Sequence, residues 1–164
     1  MKQTFVPTQN DLAENIRSKA IALLNQHLAD AIDLRLQAKQ AHWNVKGPNF
    51  IALHELFDEV EEEVAEFVDE IAERGVQLGG IALGTARIVA KQSGLTEYPA
   101  DISSGREHVQ ALSGALAKFG KSVRSAIVAA AEFDDADTAD LFTQVSRGID
   151  KLLWKVEAHS QVIH

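Results

Sequence analysis

Apolar residues recur three or four positions apart along four long stretches of the chain. In the clearest stretch, from about residue 49 to 77, they are Leu53, Leu56, Phe57, Val60, Val64, Phe67, Val68 and Ile71. This spacing is typical of amphipathic helices, because 3.6 residues per turn places such positions on one face. The other stretches cover about residues 11–45, 104–133 and 137 onward. The pattern predicts four long helices, and alternation typical of β-strands is no longer than chance.

Glycines, prolines and capping residues mark where these helices begin and end. The segment Lys46-Gly47-Pro48 ends the first helix, and Gly79, Gly80 and Gly84 follow the second. The predicted N-terminal caps are Asn10 or Asp11 for the first helix, Ser104 with Glu107 as a capping box for the third, and Asp137 for the fourth.

A long connection, residues 79–103, separates the second helix from the third. It has room for one short helix at about Thr85 to Gln92. A connection of this length suits a bundle in which one crossover spans the domain. The expected fold is therefore all-α: a four-helix bundle with a long crossover connection that carries a short helix. Residues 1–10 are expected to form a short flexible N-terminal arm, and residues 11–164 a single domain.

The composition restricts the chemistry of any site. The chain of 164 residues has no cysteine, so disulfides and thiolate metal ligands are excluded and a metal site must use His, Asp and Glu. The net charge of −8 disfavours nonspecific binding to nucleic acid and favours cations. No apolar run is long enough to span a membrane, and no signal-peptide pattern is present. A cytoplasmic protein is expected.

Five residues at the end of the first helix and along the second helix are candidate metal ligands. They are His42, His54, Asp58, Asp69 and Glu73. The last four form two pairs, each with a spacing of four residues, so each pair shares a helix face. Both pairs fall within an arc of about 100°, roughly opposite the apolar stripe. Ala65 and Ala72 lie in the same arc, where small side chains allow another helix to approach closely.

The two pairs are too far apart to bind one ion within a single chain. Asp58 and Asp69 are separated by eleven residues, which is about 16 Å along a helix. Ligands must lie within about 2–2.5 Å of a metal ion. An antiparallel copy of the second helix, related by a two-fold axis, would bring one pair beside the other. The spacing thus favours two identical sites shared by two subunits.

An acidic helix face also has a simpler explanation. Such a face opposite an apolar stripe is usually only solvated, and the second helix carries many other carboxylates: Glu55, Glu59, Glu61, Glu62, Glu63, Glu66 and Glu70. Spacing alone leaves this alternative open.

Longer motifs identify a family resemblance. The run Lys39 to Gly47 (KQAHWNVKG), followed by Asn49-Phe50, His54-Glu55 and Asp58, closely resembles the Dps family of miniferritins, as does Ala72 to Gly80 (AERGVQLGG). Asp137 to Leu141 and Asp150 to Trp154 are similar to the same family. The resemblance covers nearly the whole chain after the arm, and all five candidate ligands match the family's ferroxidase pattern.

The resemblance implies a ferritin-like fold and a hollow homo-oligomer of twelve subunits with tetrahedral symmetry. It implies a ferroxidase that oxidises Fe(II), preferably with hydrogen peroxide, stores ferric mineral and protects against oxidative stress. It also implies di-iron centres in which His42, His54 and Asp58 of one subunit meet Asp69 and Glu73 of its partner. The same donors would accept zinc or manganese.

Further roles implied by the family each have a structural alternative. Trp43 would lie near the iron and intercept oxidising equivalents, or it is a packing residue. The acidic residues Asp134, Asp135, Asp137 and Asp140 would line a three-fold pore, or they cap and solvate a turn. Glu55, Glu59 and Glu62 would nucleate mineral. Trp154 is expected in the core or an interface, and His27, His108, His159 and His164 are expected to be packing or surface residues.

Two competing functions have weaker support in the sequence. Ordinary ferritins carry a Glu-x-x-His pair within one bundle, and no His follows a Glu at that spacing here. Many Dps relatives bind DNA through a lysine-rich arm. In this chain residues 1–10 contain one basic residue, Lys2, and no Lys or Arg follows Lys155, so DNA binding is doubtful.

Overall fold

The computed structural model describes residues 5–161, which form five helices. These are α1 (Glu14–Asn44), α2 (Phe50–Gln77), α3 (Ala86–Gln92), α4 (Gly105–Glu132) and α5 (Ala136–Glu157). Within residues 5–161 no strand is present, and one isolated bridge joins Lys46 to Ser104. The predicted all-α class is confirmed, including the short helix in the crossover. None of the described helices is both long and apolar enough to cross a membrane.

The core lies between two helix hairpins, α1 with α2 and α4 with α5. Most of the apolar stripe predicted for α2 is buried, and only Leu56 and Val68 in it are partly exposed. Phe57, Phe119 and Phe142 are the largest fully buried side chains, and they come from three different helices. Burial of this apolar surface is the main favourable term for the bundle. It also leaves the opposite face of α2 available for other contacts.

Two of the predicted helix starts were wrong by two or three residues. The side chain of Asn10 accepts a hydrogen bond from the backbone of Leu12 at 3.0 Å, so it closes a local turn, and α1 starts after Ala13 without a side-chain cap. α5 is capped by Asp135 instead of Asp137. The capping box of Ser104 and Glu107 is confirmed, since each side chain accepts from the other's backbone N–H.

A row of polar side chains on α1 makes hydrogen bonds with the crossover between α2 and α4. This row consists of Asn25, Gln26, Asp30, Asp33 and Gln37. Their partners are Ile81, Leu83, Gln92, Ser93, Gly94 and Thr96, at distances of 2.5 to 3.1 Å. Asp30 is buried and accepts the N–H of Gly94 at 2.7 Å. Except for the bond from the Ser93 hydroxyl to Asp33, these bonds satisfy backbone groups of the crossover.

Residues at the described end of the predicted arm contact the bundle. Phe5 packs against the core, and the N–H of Val6 donates to the carbonyl of Gly79 at 2.8 Å. Gly79 has a φ of +83°, and a Cβ there would lie 2.6 Å from the Val6 carbonyl oxygen. Glycine therefore permits both the turn after α2 and the close approach of the arm. Residues 1–4 lie outside the described part.

Candidate metal centre

The turn between α1 and α2 brings two histidines together. His42 lies in the last turn of α1 and His54 in the first turns of α2. Gly47, with a φ of +115°, allows the chain to reverse between them. The imidazole rings stack with centroids 3.7 Å apart and an interplanar angle of 21°. Sequence spacing alone does not require this contact, because twelve residues separate the two positions.

Each histidine ring is oriented by the backbone of the other. Nδ1 of His42 lies 2.7 Å from the carbonyl oxygen of His54, and Nδ1 of His54 lies 2.8 Å from that of His42. A carbonyl only accepts, so Nδ1 carries the proton in both rings. In the neutral imidazoles the lone pairs are then on the two Nε2 atoms. This is the tautomer that metal-binding histidines adopt when a backbone carbonyl fixes the other nitrogen.

Asp58 lies one turn after His54 and supplies a carboxylate beside the ring pair. Its Oδ1 lies 3.7 Å from Nδ1 of His42 and accepts a short hydrogen bond from Nζ of Lys39. The Lys39 ammonium holds the pKa of the Asp58 carboxyl below its usual range, and the same bond raises the pKa of Lys39. Asp58 is therefore ionised at neutral pH and available as an anionic ligand.

Asp69 and Glu73 lie on the same helix but do not join this group. Both are exposed, the half-buried Ala65 lies on the helix between them and the histidines, and the half-buried Ala72 lies within the pair. His42 contacts His54 and lies near Asp58. Among residues 5–161 of one chain, however, no group of three or more His, Asp or Glu side chains is arranged to hold a metal ion.

Comparison with known proteins identifies the family. The ferritin-like domain family matches residues 21–164. The DNA protection during starvation protein of Agrobacterium fabrum is 47% identical over 154 residues, covering 94% of this chain and 95% of that protein. The chain belongs to the Dps family. The protein of the same name from Brevibacillus brevis is 31% identical over 147 residues, covering 88% and 96%.

Solved Dps structures share the whole fold. Dps from Mycobacterium smegmatis in its tetragonal form superposes with a TM-score of 0.89 at 30% identity, covering 97% of this chain and 100% of that one. DpsC from Streptomyces coelicolor gives a TM-score of 0.91 at 28% identity, with coverage of 98% and 96%. The ferritin-like architecture expected from the sequence is confirmed.

The acidic turn before α5 divides into a buried and an exposed part. Asp135 is 1% exposed, caps α5 through Thr138 and pairs with Arg74 at 2.8 Å. Its carboxylate points into the subunit, because Arg74 and the helix N-terminus need an acceptor there. The acidic residues that remain at the surface are Asp134, Asp137 and Asp140. A pore role predicted from this Dps resemblance can involve only these three as solvent-facing groups of the subunit.

The two tryptophans are exposed, and the histidines outside the candidate site differ in burial. Trp43, which follows His42 in the sequence, is 66% exposed. Trp154 is 64% exposed in the subunit, which excludes the core position and leaves the predicted interface position open. His27 and His108 are buried and hydrogen-bonded, to Leu23 and Tyr98 among others, and His159 is exposed. These three are packing or surface residues as expected. His164 lies outside the described residues.

Several α2 glutamates form ion pairs or hydrogen bonds with α5 side chains, which a purely solvated face would not require. Glu59 pairs with Lys155, Glu63 with Lys151 at 4.0 Å, and Glu70 accepts from Gln144 at 3.0 Å. Glu55 and Glu62 are exposed. The proposed nucleating residues thus include one, Glu59, that is already paired within the subunit.

Sequence reasoning missed a charged network beside the candidate site. Glu61, only 9% exposed, contacts Arg35 and lies 3.6 Å from Lys39, which in turn binds Asp58. The available signal was spacing: Lys39 precedes His42 by three residues, and Glu61 follows Asp58 by three. Each residue therefore shares a helix face with a candidate ligand.

Proposed function

We propose that this protein is a Dps-type ferroxidase that oxidises Fe(II) with hydrogen peroxide and stores the ferric product inside a hollow shell of twelve subunits. The observation that carries the proposal is the reciprocal pair of His42 and His54. Its backbone bonds assign the lone pairs of both rings to Nε2, and the Asp58 carboxylate lies 3.7 Å from the His42 ring. Neutral imidazoles and carboxylates are the donors that suit non-haem iron.

The proposed site is shared between two subunits. Asp69 and Glu73 are exposed on the same face of α2 as His54, about 16 Å or more along the helix from Asp58. A two-fold related copy of α2 would place the partner's carboxylate pair beside the histidines. Half-buried Ala65, between the pairs, and Ala72, within the second pair, would allow the two helices to approach closely.

In this proposal the side chains bind and orient the substrate. Each of two Fe(II) ions gives up one electron, and the two electrons reduce one peroxide to two oxygens at the level of water or hydroxide. Hydrolysis of the ferric product releases protons. The carboxylates of Asp58, Asp69 and Glu73 offset the added positive charge on iron. Trp43 is close enough to His42 in sequence, and exposed enough, to be oxidised in place of less accessible groups.

The supply and storage of iron are assigned to the acidic surfaces. Asp134, Asp137 and Asp140 would attract cations to a pore, since clustered carboxylates raise the local cation concentration. Glu55 and Glu62, with Glu59 when released from Lys155, would bind ferric product. Zinc or manganese would occupy the same ligands as competitors of Fe(II).

Replacing His54 with alanine is expected to abolish rapid iron oxidation. Loss of a ligand should slow the reaction by more than the roughly 10- to 100-fold that loss of an outer partner of a metal ligand costs. The protein would be loaded anaerobically with Fe(II), mixed with peroxide and followed by near-ultraviolet absorbance, while particle mass is measured in parallel. His159→Ala, in an exposed residue outside the site, is the matched control. Equal rates for both variants and wild type, or a monomeric wild-type mass, would contradict the proposal.

DNA binding is expected to be weak at neutral pH and physiological salt. The net charge is −8, and Lys2 is the one basic residue in positions 1–10, so few counterions would be released per subunit. A gel-shift titration of plasmid DNA measures this, at low and at physiological salt. Several lysines appended to the N-terminus should create binding. Tight retardation of DNA by the unmodified protein at physiological salt would show that another surface binds DNA.

A further inference from the structure

Lys39 lies between two carboxylates and bonds unequally to them. Its ammonium makes a short hydrogen bond to Oδ1 of Asp58 and lies 3.6 Å from Oε2 of Glu61. The Lys39 side chain is 28% exposed, so most of its stem is packed between α1 and α2. A small rotation of a flexible lysine stem therefore suffices to exchange one carboxylate for the other.

Glu61 is fixed in place by a second cation. Its other oxygen, Oε1, accepts a hydrogen bond from Nε of Arg35 at 2.5 Å, and its side chain is 12% exposed. Asp58 is more open, with 36% of its side chain exposed. Arg35 thus fixes Glu61 with its Oε2 facing Lys39. The charges of Arg35, Glu61, Lys39 and Asp58 alternate in sign in that order.

The ammonium of Lys39 and a divalent cation would compete for Asp58. In the structure Lys39 neutralises this carboxylate. When a divalent cation binds there, like-charge repulsion and the loss of a shared acceptor disfavour the ammonium at the same oxygen. A lysine with no other acceptor would then be left partly buried and unpaired, which would weaken the binding of the cation.

We propose that Glu61 is a positioning residue that takes over the Lys39 ammonium when a metal ion takes Asp58. This inference rests on the proposed function, since it assumes that Asp58 is a metal ligand. The transfer keeps Lys39 paired in both states. Arg35 prevents Glu61 from turning to solvent, so the acceptor is present before the metal ion arrives.

The positions of the three side chains allow the ammonium of Lys39 to move from Asp58 to Glu61. Asp58 and Glu61 are three residues apart on α2, and Lys39 on α1 faces both. Glu66, five residues further along α2, is exposed and carries the same charge on the same helix. It therefore provides a matched control that removes one negative charge without removing the acceptor for Lys39.

The test measures Co²⁺ binding to the assembled, metal-free protein by calorimetry and visible absorption, so that no turnover is needed. Glu61→Gln is expected to raise the Kd for Co²⁺ about two- to fivefold, the range expected for loss of one partly exposed ion pair. Glu66→Gln should leave it nearly unchanged. Lys39→Gln removes the competing ammonium and should lower the Kd by a similar factor. In the Lys39→Gln background, Glu61→Gln should have no further effect, because no ammonium remains to be accepted.

The outcomes separate this inference from the proposed function. Equal Kd values for Glu61→Gln and Glu66→Gln, or an effect of Glu61→Gln that persists without Lys39, would overturn the role of Glu61 alone. Wild-type protein that assembles but binds no Co²⁺ would overturn the proposed function and this inference together. If Glu61→Gln fails to assemble, Lys39→Gln decides the matter: weaker Co²⁺ binding in that variant would show that Lys39 supports the ligand instead of competing for it.

Discussion

Co-refolding of two inactive variants is expected to restore about a quarter of the wild-type rate of Fe(II) oxidation. One variant carries His54→Ala and Asp58→Ala, and the other carries Asp69→Ala and Glu73→Ala. Each alone lacks ligands at every site and should be slow. Their mixture regains intact sites only if one site takes ligands from two chains.

The expected fraction follows from two-fold symmetry. Random pairing makes about half of the dimers mixed, and each mixed dimer has one site with both lesions and one with none. About a quarter of all sites are then intact. The measurement compares peroxide-dependent oxidation rates of the mixture and of each variant refolded alone, with subunit exchange verified by mass. Verified mixed oligomers that stay inactive would rule out sharing and require a site within one subunit.

Replacing Asp135 with alanine is expected to lower the free energy of unfolding by about 3 kcal/mol, the lower end for breaking a buried ion pair. The change leaves the Arg74 guanidinium, 12% exposed, without its main acceptor. It also removes the acceptor for the N–H and hydroxyl of Thr138 at the start of α5. Both losses occur where water has little access.

Asp137→Ala is the control for this substitution. Asp137 lies two residues away, with its side chain 86% exposed and 3.9 Å from Arg74, and its loss should change stability by no more than about 0.5 kcal/mol. Denaturant unfolding at one fixed protein concentration measures both, because stability of an oligomer depends on concentration. Similar losses for the two variants would mean that the turn is stabilised by total charge instead of the buried pair.

The helices could be predicted where local pattern decides the structure. The stripe on α2 and the capping box at Ser104 depend on residues within one or two turns, and both are confirmed. The start of α1 was predicted wrongly because Asn10 bonds to Leu12 and not to a helix N–H. The crossover was predicted as a long connection, but its attachment to α1 involves residues 56 to 66 positions apart, which no local pattern reveals.

The candidate site also has features that local spacing predicts and features that depend on contacts between distant segments. The ligand residues could be named from spacing and family resemblance, since all five stand at motif positions. The stacking of His42 on His54 and the placement of Lys39 between Asp58 and Glu61 depend on how α1 is rotated against α2. That rotation is set by packing of the whole hairpin. The proposed meeting of the two candidate ligand pairs involves a second chain, which the structure of one subunit does not contain.

The polar row on α1 has a consequence for where this protein can be cut or extended. Long irregular connections usually tolerate insertions and are the first segments that proteases cleave. Here the backbone between Ile81 and Thr96 is bonded to four side chains of one helix, and a fifth, Asp33, accepts from the hydroxyl of Ser93. An inserted peptide would separate these donors from their acceptors. The longest connection of the bundle is thus a poor site for a tag or a graft, although its length alone would recommend it.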